Sequence, residues 1–349
     1  MMRKMILDGK EISDDSECYV IAEIGHNHQG SLEQCKKLFK AAKEAGADCV
    51  KLQKRDNRAL FTREIYDAPY NSENAYAATY GAHREFLEFG REEYVALKKY
   101  AKELEITFTS TAFDFPSADF LAELDMPAYK MASGDLTHIP LLKHVAKLGK
   151  PMVVSTGGAS FEDVQRAYDA IMPINRQLCI MQCTSGYPPS FEELNIRVIE
   201  TFRKAFPDIV IGFSAHDSGI AMSLVGYMLG AQMIEKHFTL NRALKGTDHS
   251  FSLEPRGLEK MIRDLRRGRV ALGDGIKRRY PIENAPLFKM AKKIVAARDL
   301  PAGHVITEAD LAYKCPADGL PPYMCDQVVG KRLLKPLKEE QNIELGDLA

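Results

Sequence analysis

Short apolar runs alternate with longer amphipathic segments from residue 20 to about residue 272 of the chain. The short runs are rich in β-branched residues, which is typical of strands buried on both faces of a parallel sheet. Eight strand-then-helix units of roughly 30 residues each predict a closed (β/α)8 barrel. The periodicity is also compatible with an open doubly wound sheet, but eight units without a dinucleotide-binding fingerprint favour closure. The predicted strands span residues 19–24, 48–53, 106–110, 128–132, 151–155, 178–182, 209–213 and 232–236.

Amphipathic segments follow most of these strands and predict the helices of the barrel. Ser31 with Gln34, and Ser160 with Asp163, have the spacing of helix N-terminal caps, and Gly46 stands where a helix C-terminal glycine belongs. The predicted helices span residues 31–45, 92–105, 117–124, 139–148, 160–171, 192–206, 220–229 and 254–272.

Two segments depart from this repeat. A long polar insertion, residues 54–90, separates the second strand from its helix, and loops of that length inside a barrel are usually functional. After residue 272 the pattern changes to short apolar runs that are typical of a small β-rich module. We therefore assign residues 1–275 to the barrel, 276–290 to a linker and 291–349 to the β-rich domain.

Composition limits the classes of function. Hydrophobic residues make up 45% of the chain, charged residues 27%, and the formal net charge is -1, which gives no indication of nucleic acid or a membrane surface as partner. We find no signal peptide and no apolar stretch long enough to span a bilayer. The seven cysteines form no CxxC pair and lie mostly in apolar runs, so we expect reduced packing residues in a cytoplasmic protein.

Polar side chains stand where the predicted strands end, and barrel active sites lie at that end. Lys51 alone could be a solvated surface lysine, but its apolar flanks on both sides favour an inward position. There it and Lys130 would meet an anion together with neighbouring hydroxyl groups. His216 and His237 end neighbouring strands, which predicts an open metal site for Mn²⁺ or Mg²⁺ completed by water or substrate. A hydrogen-bonded pair of barrel histidines is the alternative. The other polar strand-end residues include Glu23, Thr111, Ser133, Asp135, Ser155, Tyr187 and Ser214.

Eight segments of the chain resemble the sialic-acid synthase family. They are EIGHNHQGS (residues 23–31), KLQK (51–54), YKMASGD (129–135), VSTGG (154–158), QCTSGYP (182–188), GFSAHDSG (212–219), EKHFTL (235–240) and KGTDHSFSLEP (245–255). The C-terminal unit resembles the antifreeze-like (SAF) domain of that family. The resemblance covers essentially the whole chain in order, and it is nearest to the vertebrate-type branch.

The resemblance implies an N-acetylneuraminate synthase that condenses phosphoenolpyruvate with an N-acetylmannosamine-type sugar, with Mn²⁺ or Mg²⁺ held by His216 and His237. It implies a domain-swapped homodimer in which each SAF domain covers the partner's barrel. The implied catalytic residues are Glu23, Asp135, His216 and His237. The implied phosphoenolpyruvate contacts are Lys51, Thr111, Lys130, Ser133, Ser155 and Ser214. The implied sugar-binding residues are Asn74, Tyr187, Asp248, Lys54 and Lys245.

Three alternatives stay open at this point. The sugar could carry a 6-phosphate, bound by Lys54, Arg55, Arg84 or Lys245, to give a 9-phosphate product. It could also be a different sugar, such as a diamino-hexose or mannose, of a related nonulosonate synthase. A non-catalytic carbohydrate-binding barrel is disfavoured by the intact histidine pair. Cys315 stands where some bacterial members have a sugar-contacting arginine, which leaves recognition of the acyl group undetermined.

Overall fold

The computed structural model describes residues 3–349, which divide into two compact units between Gly273 and Asp274. In the first unit, eight parallel strands in chain order form a closed barrel, which confirms the predicted (β/α)8 fold. The barrel closes where its last strand pairs with its first, for example at His237 and Glu23. The strands of this unit are β1 (Lys4–Leu7), β2 (Lys10–Ser13), β3 (Tyr19–Gly25), β4 (Cys49–Lys54), β5 (Thr107–Ala112), β6 (Tyr129–Met131), β7 (Met152–Ser155), β8 (Leu178–Cys183), β9 (Val210–Ala215) and β10 (Met233–His237).

Helices pack around strands β3 to β10 and bury their apolar stripes against them. In α1 the stripe contains Cys35, Leu38, Phe39 and Ala42, at the spacing of one helix face, and Ser31 caps the helix by accepting a hydrogen bond from the Gln34 amide. The helices of this unit are α1 (Leu32–Glu44), α2 (Asn57–Leu60), α3 (Arg63–Asp67), α4 (Tyr80–Leu87), α5 (Arg91–Glu103), α6 (Phe115–Glu123), α7 (Ile139–Lys147), α8 (Phe161–Ile171), α9 (Val198–Ala205), α10 (Ala221–Met228) and α11 (Pro255–Leu272).

The helix predicted over residues 192–206 is shorter than expected. Only α9, Val198–Ala205, is α-helical, and Glu192–Leu194 forms a separate 3₁₀ turn. Asn195 separates the two in a left-handed conformation with φ of 38°. Asparagine tolerates that conformation because its short polar side chain can bond locally, so it ends the first turn.

The insertion after β4 is folded rather than irregular. It contains α2, α3 and α4. The rings of Tyr70, Tyr80 and His83 pack against one another, and the centre of the Tyr70 ring lies 5.4 Å from that of Tyr80 and 4.6 Å from that of His83. Gly81 faces the ring of Tyr66, where a Cβ atom would lie 2.5 Å from ring carbons. That close approach requires glycine.

The N-terminal strands β1 and β2 form a hairpin that the sequence analysis did not predict. Asp8 and Gly9, both with positive φ, make its turn. Met5, Leu7 and Ile12 are buried and pack in one cluster with inward-facing residues at the N-terminal ends of the barrel strands. The hairpin therefore closes the end of the barrel opposite to the strand C-termini.

The second unit has its own apolar core, which includes Ile294, Leu300 and Ile306. Its antiparallel strands are β11 (Lys293–Ala296) and β12 (Leu311–Lys314), and the other predicted short strands contribute single backbone bridges. A helix, α12 (Asn284–Met290), lies in the segment that we predicted as linker. Among residues 3–349, none of the helices has the length and apolar character needed to cross a membrane.

Candidate active site

A cavity of about 590 Å³ opens at the C-terminal ends of the barrel strands. Side chains alternate along a strand, so Lys51 faces the cavity while its neighbours Val50 and Leu52 pack in the outer core. Most of the residues that we predicted for the site line this cavity. They are Glu23, Lys51, Asn74, Thr111, Lys130, Ser133, Ser155, Tyr187, Ser214, His216, His237 and Asp248.

Lys51 is the centre of a buried polar cluster on the cavity floor. Its ammonium lies 2.5 Å from Glu23 Oε2 and 3.6 Å from Glu235 Oε1. It also donates a hydrogen bond of 2.8 Å to Thr111 Oγ1. Burial opposes the charged ammonium, but the two carboxylates outweigh it and raise the pKa of Lys51 above its usual value. Lys51 is therefore a fixed positive charge.

Lys130 stands on the other side of the same cluster. Its ammonium donates a hydrogen bond of 2.5 Å to Ser155 Oγ and lies 3.9 Å from Glu235 Oε1. Burial lowers the pKa of Lys130, and Glu235 only partly offsets that effect. Two lysines and their hydroxyl partners thus face one space, which suits an anion with several oxygen atoms.

Glu235 is a central member of the cluster that our site prediction left out. It accepts a hydrogen bond of 3.4 Å from Ser214 and contacts both lysines. Burial opposes the ionisation of Glu235, but the charges of Lys130 and Lys51 outweigh it and lower the pKa of Glu235. For Glu23 the balance is reversed, because burial raises its pKa more than Lys51 lowers it. The signal was present in the sequence, because Glu235 stands two residues before His237 and so shares its face of the strand.

His216 and His237 face each other across the cavity with 5.3 Å between ring centroids. His216 Nδ1 donates a hydrogen bond of 2.9 Å to the Thr184 carbonyl oxygen. The ring proton is therefore on Nδ1, and Nε2 has a lone pair available for a metal ion. Among residues 3–349, His237 Nδ1 is buried without a hydrogen-bond partner, and it lies 3.6 Å from Asp248 Oδ2. Burial lowers the pKa of His237 to about 3, so its ring is neutral, as a metal ligand must be.

These features fit an open metal site. The carbonyl behind His216 is the kind of partner that orients a metal-binding imidazole, whereas the carboxylate beside His237 is 3.6 Å away and does not hydrogen-bond its ring. Within residues 3–349, no group of three or more His, Cys, Asp or Glu side chains is arranged around one metal position. Two histidines would therefore be the protein's share, with water or substrate oxygens as the remaining ligands.

The upper wall of the cavity comes from the loops. The Tyr187 ring lies 4.4 Å from the His216 ring at an interplanar angle of 37°, and Tyr187 is 55% exposed, so it offers an aromatic face to a ligand. Asn74 lies in the insertion and accepts a hydrogen bond of 2.9 Å from the Gly246 amide. That bond joins the insertion to the segment that carries Asp248, and both residues line the cavity.

Two arginines of the insertion also line the cavity, on either side of His26. Arg55 Nη1 lies 3.2 Å from one ring nitrogen of His26, and Arg84 Nη1 lies 3.2 Å from the other. Burial and the charge of Arg84 lower the pKa of Arg55 to about 10. Burial and both arginines also hold the pKa of His26 well below its usual value, so the imidazole is neutral. Glu88, 4.0 Å from Arg55, and Asp248, whose charge acts on both arginines, are the compensating carboxylates. Lys54 also pairs with Glu88, so three positive charges meet two negative ones here.

Three residues that we predicted for the site lie outside the cavity lining. Lys54 is 3.1 Å from Glu88 Oε2 and donates to a backbone carbonyl, so its ammonium is already paired. Lys245 is exposed, and its ammonium lies 5.0 Å from the centre of the Tyr76 ring. Asp135 lies in the 3₁₀ turn that follows β6, where burial raises the pKa of its carboxyl group to about 6.

Comparison with known proteins agrees with this geometry. Residues 38–277 match the NeuB family and residues 292–349 match the SAF domain. The chain is 40% identical over 336 residues to human N-acetylneuraminate-9-phosphate synthase, covering 96% of this chain and 94% of that protein. It is 35% identical to N,N'-diacetyllegionaminic acid synthase of Campylobacter jejuni, covering 93% and 98% of the two chains.

A solved structure supports the same assignment. The N-acetylneuraminic acid (sialic acid) synthetase of Leptospira borgpetersenii superposes with a TM-score of 0.72 and 28% identity, covering 82% of this chain and 95% of that one. The chain therefore belongs to the NeuB family and carries a SAF domain at its C-terminal end.

Proposed function

We propose that the protein is a sialic-acid synthase that condenses phosphoenolpyruvate with an N-acetylmannosamine-type sugar and releases phosphate. The observation that carries this proposal is that an anion site and a candidate metal site lie side by side in one cavity. Lys51 and Lys130 with their hydroxyl partners form an anion site, and His216 and His237 beside it would hold a divalent metal ion that polarises an aldehyde. A reaction between an anionic enol phosphate and a sugar aldehyde needs both.

Phosphoenolpyruvate would occupy the cavity floor. Its carboxylate and phosphate oxygens match the ammonium groups of Lys51 and Lys130 and the hydroxyl groups of Thr111, Ser155 and Ser214, which all face the cavity. These donors are held in place by one another before the substrate arrives. Fixed charges of this kind stabilise a reacting anion more effectively than mobile water does.

The reaction would form a carbon–carbon bond between C3 of phosphoenolpyruvate and the aldehyde carbon of the open-chain sugar. Water adds at C2, the bond from C2 to the phosphate oxygen breaks, and inorganic phosphate leaves. A divalent ion such as Mn²⁺ or Mg²⁺, held by His216 and His237, would supply Lewis-acid polarisation of the aldehyde. Tyr187, Asn74 and Asp248 would bind the rest of the sugar, since they line the upper wall.

Glu23 and Glu235 are suited to opposite proton transfers. The pKa of Glu23 is raised and that of Glu235 is lowered, and a pair of carboxyl groups with diverging pKa values is the usual arrangement for a general acid and a general base. Glu23 would protonate the aldehyde oxygen as it becomes a hydroxyl group. Glu235 would accept the proton that the attacking water loses. Asp135, with a pKa of about 6 but outside the cavity lining, stays an alternative shuttle.

For the sugar we propose the 6-phosphate form, which gives a 9-phosphate product. Arg55 and Arg84 supply two positive charges in the cavity wall, near Asn74 and Asp248, that a neutral sugar does not require. A phosphate dianion forms charge-assisted hydrogen bonds with arginine, each worth roughly 1.5–3 kcal/mol. The human relative, a 9-phosphate synthase, supports this choice over the free sugar.

The deciding experiment is a substrate panel. Release of phosphate from phosphoenolpyruvate would be measured with N-acetylmannosamine, its 6-phosphate, mannose 6-phosphate and a diacetamido-hexose, each with Mn²⁺ and with Mg²⁺. We expect the highest kcat/KM with N-acetylmannosamine 6-phosphate. Activity confined to the diacetamido sugar would instead assign a legionaminic-type synthase, and no activity with any sugar would refute the enzyme assignment.

The arginine variants test the phosphate pocket separately. Arg84→Gln should lower kcat/KM for the 6-phosphate by about ten- to a hundredfold, since 1.4 kcal/mol corresponds to tenfold, and should leave activity with the free sugar nearly unchanged. Lys245→Gln, which removes an exposed charge outside the cavity, is the matched control. An equal loss with both sugars would show that Arg84 does not select for the phosphate.

We also propose a cytoplasmic homodimer in which each SAF domain covers the partner's barrel. All seven cysteines are free thiols, which suits a reducing compartment. Val270, Ile276 and Ile282 are exposed apolar residues at 82%, 64% and 86%, and such residues are common at subunit interfaces. Light scattering of the purified protein would give the subunit number directly.

A further inference from the structure

Lys236 is a charged residue in a layer of the barrel that is apolar around it. The side chain of His237 faces the cavity, so that of the preceding Lys236 faces the helices outside the barrel. On that outer face Ile234, Phe213 and Ala215 are all buried in the main hydrophobic core. A lysine at this position needs a specific explanation, because burying its charge is costly.

Lys236 forms a close ion pair with Asp217. Its ammonium lies 2.7 Å from Asp217 Oδ1 and also donates to the backbone carbonyl oxygen of Asp217, and both side chains are only 2% exposed. A buried ion pair of this kind adds little net stability, since the desolvation cost nearly cancels the attraction. What it does provide is a defined geometry between the two segments that it joins.

The two segments are those that carry the histidines. Asp217 directly follows His216, and Lys236 directly precedes His237. The ladder between β9 and β10 ends at the pair Ala215 and Lys236, so His216 lies one residue past its end. The ion pair therefore joins the two chain segments beyond the last residue pair of the ladder, next to the two histidines.

We propose that Lys236 and Asp217 are positioning residues that set the separation of His216 and His237 for a divalent metal ion. This inference rests on the proposed metal role of the two histidines. By binding both the side chain and the main chain of Asp217, Lys236 fixes the backbone on either side of the 5.3 Å gap between the rings. Loss of such supporting partners typically weakens metal binding about ten- to a hundredfold.

The test is the affinity for Mn²⁺, measured by titration calorimetry and by the electron paramagnetic resonance signal of free Mn²⁺. The double variant Lys236→Met/Asp217→Leu replaces the pair with apolar side chains of similar size, so no buried charge is left unpaired. We expect it to stay folded by circular dichroism and to bind Mn²⁺ ten- to a hundredfold more weakly. Arg203→Met, which breaks an ion pair with Asp14 away from the histidines, should bind Mn²⁺ like the wild type.

The possible outcomes distinguish the positioning role of the ion pair from the metal site itself. A folded double variant with a Kd for Mn²⁺ within twofold of the wild type would overturn the positioning role alone. If His216→Ala and His237→Ala bind Mn²⁺ as tightly as the wild type does, the metal site is overturned and this inference with it. If the double variant does not fold, Asp217→Asn decides: we expect at least threefold weaker binding, and an unchanged Kd would overturn the proposal.

Discussion

At the scale of single residues, the cavity floor is defined by charges that are almost removed from water. The Lys51 and Glu23 side chains are 3% and 1% exposed, and those of Lys130 and Glu235 are each 5% exposed. Keeping such groups ionised costs several kcal/mol per ion unless their partners are well placed. Here every charge has an opposite charge within 4.0 Å. With Glu23 ionised the cluster is balanced internally. A trianionic substrate would compete with the carboxylates for the two lysines, and its negative charge would favour the protonated Glu23 that the proposed proton transfer requires.

Replacement of Lys130 by methionine tests this competition. The variant keeps the length of the side chain and removes the ammonium that contacts Ser155 and Glu235. Losing one or two charge-assisted hydrogen bonds should lower kcat/KM for phosphoenolpyruvate about ten- to ten-thousandfold in steady-state assays. Lys150→Met, at an exposed surface ion pair, is the matched control and should have wild-type kinetics. Unchanged kinetics in Lys130→Met would remove Lys130 from the substrate site.

Replacement of either cavity histidine tests the metal role. His216→Ala or His237→Ala should abolish metal-dependent turnover while the thermal unfolding midpoint stays within a few degrees of the wild type, since both rings border open space. The measurement is activity after chelation and stepwise return of Mn²⁺ or Mg²⁺. His144→Ala, a partly exposed histidine paired with Asp119, serves as control. Full metal-dependent activity in either cavity variant would rule out the assignment.

The sequence predicted strand-borne site residues better than loop-borne ones. Lys51 and His237 sit on strands whose alternation decides which way each side chain points, so their inward direction could be deduced. Lys54 and Lys245 lie at a strand end and in a loop, where no periodicity fixes direction, and the structure places both outside the cavity lining. Charge alone could not distinguish them from Arg84, which does face the cavity.

At the scale of elements, the eight barrel strands were predicted to within two residues at either end because buried parallel strands are short, continuous apolar runs. The β1–β2 hairpin was missed although its signal is local: Asp8-Gly9 is a favoured hairpin turn, and the burial along Lys4–Leu7 alternates. The helices α2 to α4 were missed because each is too short to show a helical period.

The insertion should be sensitive to acid because buried histidines support it. His83 Nδ1 accepts a hydrogen bond from the Tyr76 amide within the insertion. His28, which precedes the insertion, stacks its ring 4.1 Å from that of Phe89, and its Nδ1 accepts a hydrogen bond from the Gly30 amide. Burial lowers the pKa of His28 to about 3 and that of His83 to about 4. Both rings must be neutral in the fold, whereas in the unfolded chain they bind protons below about pH 6.5. The stabilisation is therefore complete above about pH 6.5 and decreases as the pH falls towards 4.

Hydrogen exchange of residues 57–89, followed from pH 7.5 to 5.0 and corrected for intrinsic rates, measures this effect. We expect protection in the insertion to decrease below about pH 6.5 sooner than in the barrel strands. The variant His83→Gln, which can still accept from the Tyr76 amide but has no ionisable ring, should shift the loss of protection to lower pH. A parallel loss across barrel and insertion, unchanged by His83→Gln, would contradict the local mechanism.

At the scale of the whole molecule, the chemistry and the C-terminal domain belong to different units. Every residue that lines the cavity lies between Glu23 and Asp248, within the first unit. The hydrophobic clusters of the barrel are likewise built from residues of that unit, and the second unit has a separate core around Ile294 and Val328. The barrel thus contains both the candidate active site and the packing that a stable fold requires.

Deletion of residues 286–349 should therefore leave a folded barrel with little activity. The barrel loses none of its own core contacts, so its cooperative thermal unfolding by circular dichroism should persist. Turnover should fall at least tenfold, because the proposed dimer uses the SAF domain to cover the partner's cavity and an uncovered cavity admits water that weakens its electrostatic contacts. Steady-state phosphate release with saturating phosphoenolpyruvate measures the loss.

A complementation test uses a mixture of the truncated chain with a full-length chain that carries His237→Ala. We expect activity to be recovered in the mixture, because the truncated chain has an intact barrel and the inactive full-length chain supplies the SAF domain that covers it. A truncated protein with unchanged turnover and KM would show instead that the SAF domain takes no part in the site.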